Sequence, residues 1–137
     1  MLFSLYLCAV LKNDKLMATR NEVEQFLSQF KVKLDIWGIV FLDGREKNMQ
    51  ALADLNISRF ERLNEIRTIE VEHYSDGPIR DVLNDYGEMW VFGKDVNGIE
   101  TYIKITLGKP NLKTICISFH QAEHPMTYPL KQNKEDK

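Results

Sequence analysis

The chain has 137 residues, 44% of them hydrophobic and 28% charged, which fits one compact domain with a single core and argues against a second. Its formal net charge of -2 excludes the global basic field typical of nucleic-acid binders, although the last stretch, from Thr101 onward, holds six lysines against three acids and is locally basic. Two cysteines, Cys8 and Cys116, form neither a C-x-x-C pair nor a zinc spacing, so a reducing compartment, the cytoplasm, is expected.

The apolar opening from Met1 to Leu11 lacks a basic flank and is shorter than the roughly 20 residues a membrane span requires. No membrane role is expected, and Met17 reads as the initiator because folded-domain patterning starts directly after it. The expected organisation is a non-core extension over 1–16, one α+β domain over 17–131 and a polar tail over 132–137. Thr19 with Glu22 forms a capping box, and Val23, Phe26, Leu27 and Phe30 follow at helical spacing. Val32, Leu34 and Ile36 alternate with polar residues, which predicts a strand through Phe41 to a turn at Asp43-Gly44, with Gly38 as a bulge.

Lys47 to Leu55 predicts a helix burying Met49, Leu52 and Ala53, and the Ser58/Glu61 capping box predicts another burying Phe60, Leu63 and Ile66. Alternation of Ile69, Val71 and His73 predicts a short strand closed by a turn at Ser75-Asp76-Gly77-Pro78, and Ile79 to Tyr86 reads as helical turns. Asn97-Gly98 is a strong hairpin signal. A tight turn there pairs Phe92 with Ile103 and Trp90 with Ile105, with both aromatics buried. The following strands alternate. Ile103, Ile105 and Leu107 oppose Tyr102, Lys104 and Thr106, and Ile115, Ile117 and Phe119 oppose Thr114, Cys116, Ser118 and His120. Burying both isoleucine sets on one core brings Tyr102, Lys104 and His120 out together on the other face.

That set carries the candidate chemistry. An imidazole gives and takes protons near neutrality, an ammonium stabilises charge building on a phosphoryl group, and a phenol stacks on a base or relays a proton. His120 to His124 also matches H-x-x-E-H, a zinc-peptidase pattern that needs both imidazoles on one helix and a third ligand, for which His73 is the remaining histidine. Residue types alone favour a plainer reading, in which Tyr102 and Lys104 are an ordinary solvated strand face and His120 and His124 end the strand through hydrogen bonds. Cys116 lies mid-strand, with no helix start beside it to activate a thiolate.

Tyr74-Ser75-Asp76-Gly77, then Thr101-Tyr102-Ile103-Lys104-Ile105-Thr106, then Ile117-Ser118-Phe119-His120 resemble segments of the MqsR toxins, bacterial messenger-RNA interferases with a RelE-like fold. The similarity runs from about Thr19 to His120. It implies N-terminal helices on a twisted antiparallel sheet, an mRNA substrate, an antitoxin protein as partner, and RNA cleavage without a metal or other cofactor. The family's strand tyrosine falls on Tyr102. Its lysine after the final Ser-Phe falls on His120, an ammonium replaced by an imidazole. A second family lysine lands near Ile69 or Glu70, where this chain has no base, and a glutamine maps to Arg80 or Asp81. Tyr102, Lys104, His120 and His124 are thus the candidate catalytic residues, and Arg80, His73 and Lys131 the candidate RNA-binding ones. The alternatives are a non-catalytic protein-interaction domain and a zinc hydrolase.

Overall fold

The computed structural model describes residues 17–44, 46–81 and 85–132. The expected extension over 1–16, the last five residues of the tail and the middle of the 79–86 segment lie outside that set. Three α-helices and five strands are described in the order α1 (Arg20–Trp37), β1 (Ile39–Phe41), α2 (Glu46–Leu55), α3 (Arg59–Arg67), β2 (Tyr74–Arg80), β3 (Glu88–Val96), β4 (Ile99–Thr106) and β5 (Thr114–Gln121). They form an α+β fold around one sheet of order β1-β5-β4-β3-β2. Neighbouring strands are antiparallel except β1, which runs parallel to β5. The sheet is therefore mixed, where an antiparallel one was expected. Among the described residues no helix is long and apolar enough to cross a membrane.

The Thr19/Glu22 capping box forms, and it starts an 18-residue helix that runs on through Val32, Leu34 and Ile36, the residues expected to open a strand. Leu34 stays on the stripe of Val23, Phe26, Leu27 and Phe30, all buried, while Val32 and Ile36 are 58% and 67% exposed. Helical packing of Leu34 thus overrides the local alternation, and the predicted strand shrinks to Ile39–Phe41 after Gly38 caps the helix through its N–H to the Leu34 carbonyl. Each buried stripe residue contributes about 1.5–3 kcal/mol relative to exposure. Phe26 stacks on Trp90 with centroids 4.8 Å apart and also faces Phe92, which joins α1 to the sheet.

The helices α2 and α3 occur where expected, but α2 is rotated, its buried side being Asn48, Ala51 and Leu55 with Met49 exposed; α3 buries Ile66 and packs Leu63 against the core as expected, while Phe60 is exposed and Arg62 is buried instead. Arg62 is buried because its guanidinium lies 3.7 Å over the Phe41 ring and makes a two-pronged bond to Asp43. A charged residue with such partners enters a core that a hydrophobic pattern would not assign to it.

The predicted strand at 69–73 is a single 3-10 turn over Val71–His73, and the predicted turn residues Ser75 to Pro78 belong to β2, as do Ile79 and Arg80. Tyr74 anchors this strand. Its buried hydroxyl donates to the Gly77 carbonyl at 2.6 Å and accepts from the Ala18 N–H at 3.0 Å. The Asn97-Gly98 hairpin has both residues at positive φ and the predicted register, Phe92 with Ile103 and Trp90 with Ile105.

One irregularity matters for the site. Lys104 pairs with Ser118 but Ile105 pairs with Cys116, so Ile117 is an extra residue in β5. This β-bulge resets strand parity. Cys116, not Ile115, joins Ile105 and Phe119 in the core, while Ser118 and His120, downstream of the bulge, keep the predicted face. The side chain of Asn48 fills the gap. Its amide nitrogen donates to the Ile117 carbonyl at 2.8 Å and its oxygen accepts from the Phe119 N–H at 3.1 Å, continuing the ladder of β5 where the short β1 has ended.

Candidate active site

The registers lay two rows of side chains across the sheet face opposite the helices. Asp76 pairs with Val91, Val91 with Lys104 and Lys104 with Ser118; the next row runs from Gly93 through Tyr102 to His120. Directly opposed side chains on neighbouring strands touch, and the Tyr102 and His120 rings lie nearly parallel, 12° apart in plane and 5.5 Å between centroids. The Lys104 ammonium is 6.0 Å from the Tyr102 ring centre, at the outer reach of a cation–π contact.

These rows floor a concavity of about 600 Å³ lined by Tyr102, Lys104, Ser118, His120 and His124, with Asp76, Lys47 and Glu123 at its sides. All four sequence-predicted catalytic residues line it. Two lysines, Lys47 and Lys104, face two carboxylates there, Asp76 and Glu123, so the charges around the imidazoles balance. The His120 Nδ1 lies 3.0 Å from the Gln121 carbonyl, which fixes the ring plane.

The outer wall is the segment after β5, held down by two contacts. The Glu100 carboxylate accepts from the Met126 N–H at 3.2 Å and from the Tyr128 hydroxyl at 2.6 Å. Gly93 supplies the space. A Cβ there would collide with the Tyr128 hydroxyl and stand 2.8 Å from the Met126 sulfur. Burial, followed by the hydrogen bond to Glu100, pushes the Tyr128 phenol well above its ordinary range.

The predicted RNA-binding residues are not brought to this concavity. His73 and Lys131 instead share a second cavity of about 330 Å³ with Lys94 and Tyr128. There His73 accepts from the Glu70 N–H through Nδ1, and burial, then the neighbouring Lys94, lower its pKa. Arg80 is exposed at the end of β2, opposite Glu88. The H-x-x-E-H pattern fails in its structural requirement, since His120 is on β5, His124 follows the strand, and neither is on a helix. Among the described residues no three His, Cys, Asp or Glu side chains converge as metal ligands. Cys116 is fully buried, its thiol pushed up to about 12 by desolvation, so it is not a nucleophile here.

Lys47, Glu123 and Ser118 also line the concavity, beyond the residues expected from the sequence. Lys47 reaches the site from the first turn of α2, and nothing in its local pattern signals the neighbouring imidazole. None of the protein-family models, curated proteins or solved structures compared with this chain matches it significantly.

Proposed function

We propose that this chain is a toxin-type endoribonuclease that cleaves single-stranded mRNA by attack of a ribose 2′-hydroxyl on the adjacent phosphate. The observation that carries the reading is the Tyr102–His120 ring pair, with Lys104 beside it and His124 in the same open concavity. The resemblance to the MqsR toxins supports it further, and the proposal includes what that resemblance implies: a RelE-like architecture, a cytoplasmic location and a protein antitoxin as partner.

In this mechanism one imidazole removes the 2′-hydroxyl proton as the P–O2′ bond forms, and the other donates a proton to the departing 5′-oxygen as the P–O5′ bond breaks. His120 is assigned the first role and His124 the second. Lys104 stabilises the extra negative charge on the phosphoryl oxygens in the transition state. Tyr102 holds the nucleotide by stacking and supports His120 from the opposite strand. The reaction leaves a 2′,3′-cyclic phosphate and a 5′-hydroxyl, and its proton and bond inventory closes without a further reactant.

The test is incubation of purified protein with single-stranded RNA in EDTA, followed by end-group analysis. Cyclic phosphate ends are the expected outcome. Intact RNA after treatment with soluble protein freed of any inhibitor would reject the proposal. Expression should also arrest growth, and a small neighbouring gene product should relieve it; a binding domain without catalysis would do neither.

A further inference from the structure

The ion pair between Lys47 and Glu123 stands beside His120, where two cavities meet. The first is the concavity described above. The second, of about 420 Å³, is lined by Glu46, Gln50, Asp54 and Gln121 and shares Lys47, His120 and Glu123 with the first. Any extended ligand lying across His120 toward α2 meets this ion pair. Its partners are 63% and 54% exposed, so the pair is held weakly and exchanges readily with another anion.

We infer that Lys47 is a phosphate-binding residue of the site, and that Glu123 holds its ammonium until a phosphate of the ligand takes it over. The inference deepens the ribonuclease reading and rests on it for the identity of the ligand as a polynucleotide. Three features point the same way. Lys47 is a mobile point charge on a flexible stem, suited to exchange one oxygen anion for another. It faces the same space as His120, so a phosphate it binds lies beside the imidazole. The adjoining cavity on the α2 side carries the carboxylates of Glu46 and Asp54, which repel a phosphodiester, so the nucleotide chain is held at Lys47 and does not continue toward Asp54. Glu123 thereby acts as an internal competitor. It keeps the ammonium oriented in the free protein and weakens every ligand that must displace it.

The competition gives a pattern that simple charge repulsion does not. The probe is a fluorescent single-stranded oligonucleotide made entirely of deoxynucleotides, which lacks the 2′-hydroxyl and is not cleaved, with affinity read by anisotropy over a salt series. Lys47→Met should weaken binding about fivefold and reduce the slope of log affinity against log salt by about 0.7, the loss of one phosphate contact on a single strand. Glu123→Gln should tighten binding about threefold, by removal of one exposed ion pair. In the Lys47→Met background the Glu123→Gln change should have little further effect. Equal tightening in both backgrounds would overturn the inference, since Glu123 would then act by repulsion alone. So would an unchanged slope in folded Lys47→Met protein, or no binding by the wild type. If the wild type binds the probe with this pattern yet leaves RNA uncut, the catalytic proposal fails and the phosphate assignment stands; cleavage insensitive to Lys47→Met gives the reverse.

Discussion

Replacing Asn48 by alanine tests how the bulge in β5 is held and how firmly it places His120. The Asn48 side chain is 3% exposed and makes three hydrogen bonds, to the Leu42 carbonyl at 2.9 Å, the Ile117 carbonyl at 2.8 Å and the Phe119 N–H at 3.1 Å. Alanine leaves all three backbone groups without this partner. At about 1 kcal/mol for each lost bond, the change costs about 3 kcal/mol. With a urea m-value of about 2 kcal/mol/M for a domain of this size, the unfolding midpoint should fall by about 1.5 M. The Phe119 amide should also lose its protection from hydrogen exchange, because the outer edge of β5 no longer has an acceptor there. Asn48→Asp retains the acceptor for Phe119 but sets a carboxylate against two carbonyls, so it should destabilise at least as much. A midpoint within 0.3 M of wild type, or a Phe119 amide that stays protected, would refute the role given to this amide.

Other outcomes follow from the same contacts. Asp43→Ala strips the buried Arg62 guanidinium of its two-pronged partner and should cost about 2–3 kcal/mol in urea unfolding, less than the roughly 3–5 kcal/mol of a fully buried pair because Asp43 is partly exposed. Phe26→Ala removes the ring packed on Trp90 and Phe92 and should cost about 3–5 kcal/mol in the same assay. Cys116 should resist a thiol reagent at pH 8 in the folded protein and react at once in denaturant, given its burial and raised thiol pKa. The Tyr128 phenol has a raised pKa in the folded state, so its contribution is fully present below its unfolded pKa of about 10 and is lost as pH rises beyond it. Wild type should therefore lose more thermal stability than Tyr128→Phe between pH 9 and pH 11.

The hairpin and the placing of Tyr102, Lys104 and His120 on one sheet face were legible in the sequence because their signals are local. Asn97-Gly98 dictates a tight turn, the turn dictates the register of Trp90 and Phe92, and alternation carries the pattern to Tyr102 and Lys104. The two capping boxes located the starts of α1 and α3 for the same reason. What failed depends on tertiary partners. Leu34 belongs to a helix because Phe30 and the sheet bury it, although Val32 and Ile36 mimic a strand. Arg62 is inside because Phe41 and Asp43 receive it. The parity of Cys116 is reversed by a bulge whose stabilising amide lies 69 residues away, at Asn48. The position of His120 survived because it lies downstream of that bulge. Lys47 escaped notice since only the closure of α2 against the segment after β5 brings it to Glu123. His73 and Lys131 were placed with the substrate on residue type alone, and the wall formed by Met126 to Tyr128 separates them from Tyr102.

In the proposed function, RNA is cut at the Tyr102–His120 pair. The most direct test is the single-turnover cleavage rate of a single-stranded RNA in EDTA, compared between wild type and His120→Ala, with folding of both checked by circular dichroism and unfolding midpoint. Wild type should cleave the RNA, and folded His120→Ala should do so at least about a hundredfold more slowly, the loss typical of removing a general acid or base. Equal rates for the two folded proteins would contradict cleavage at this pair.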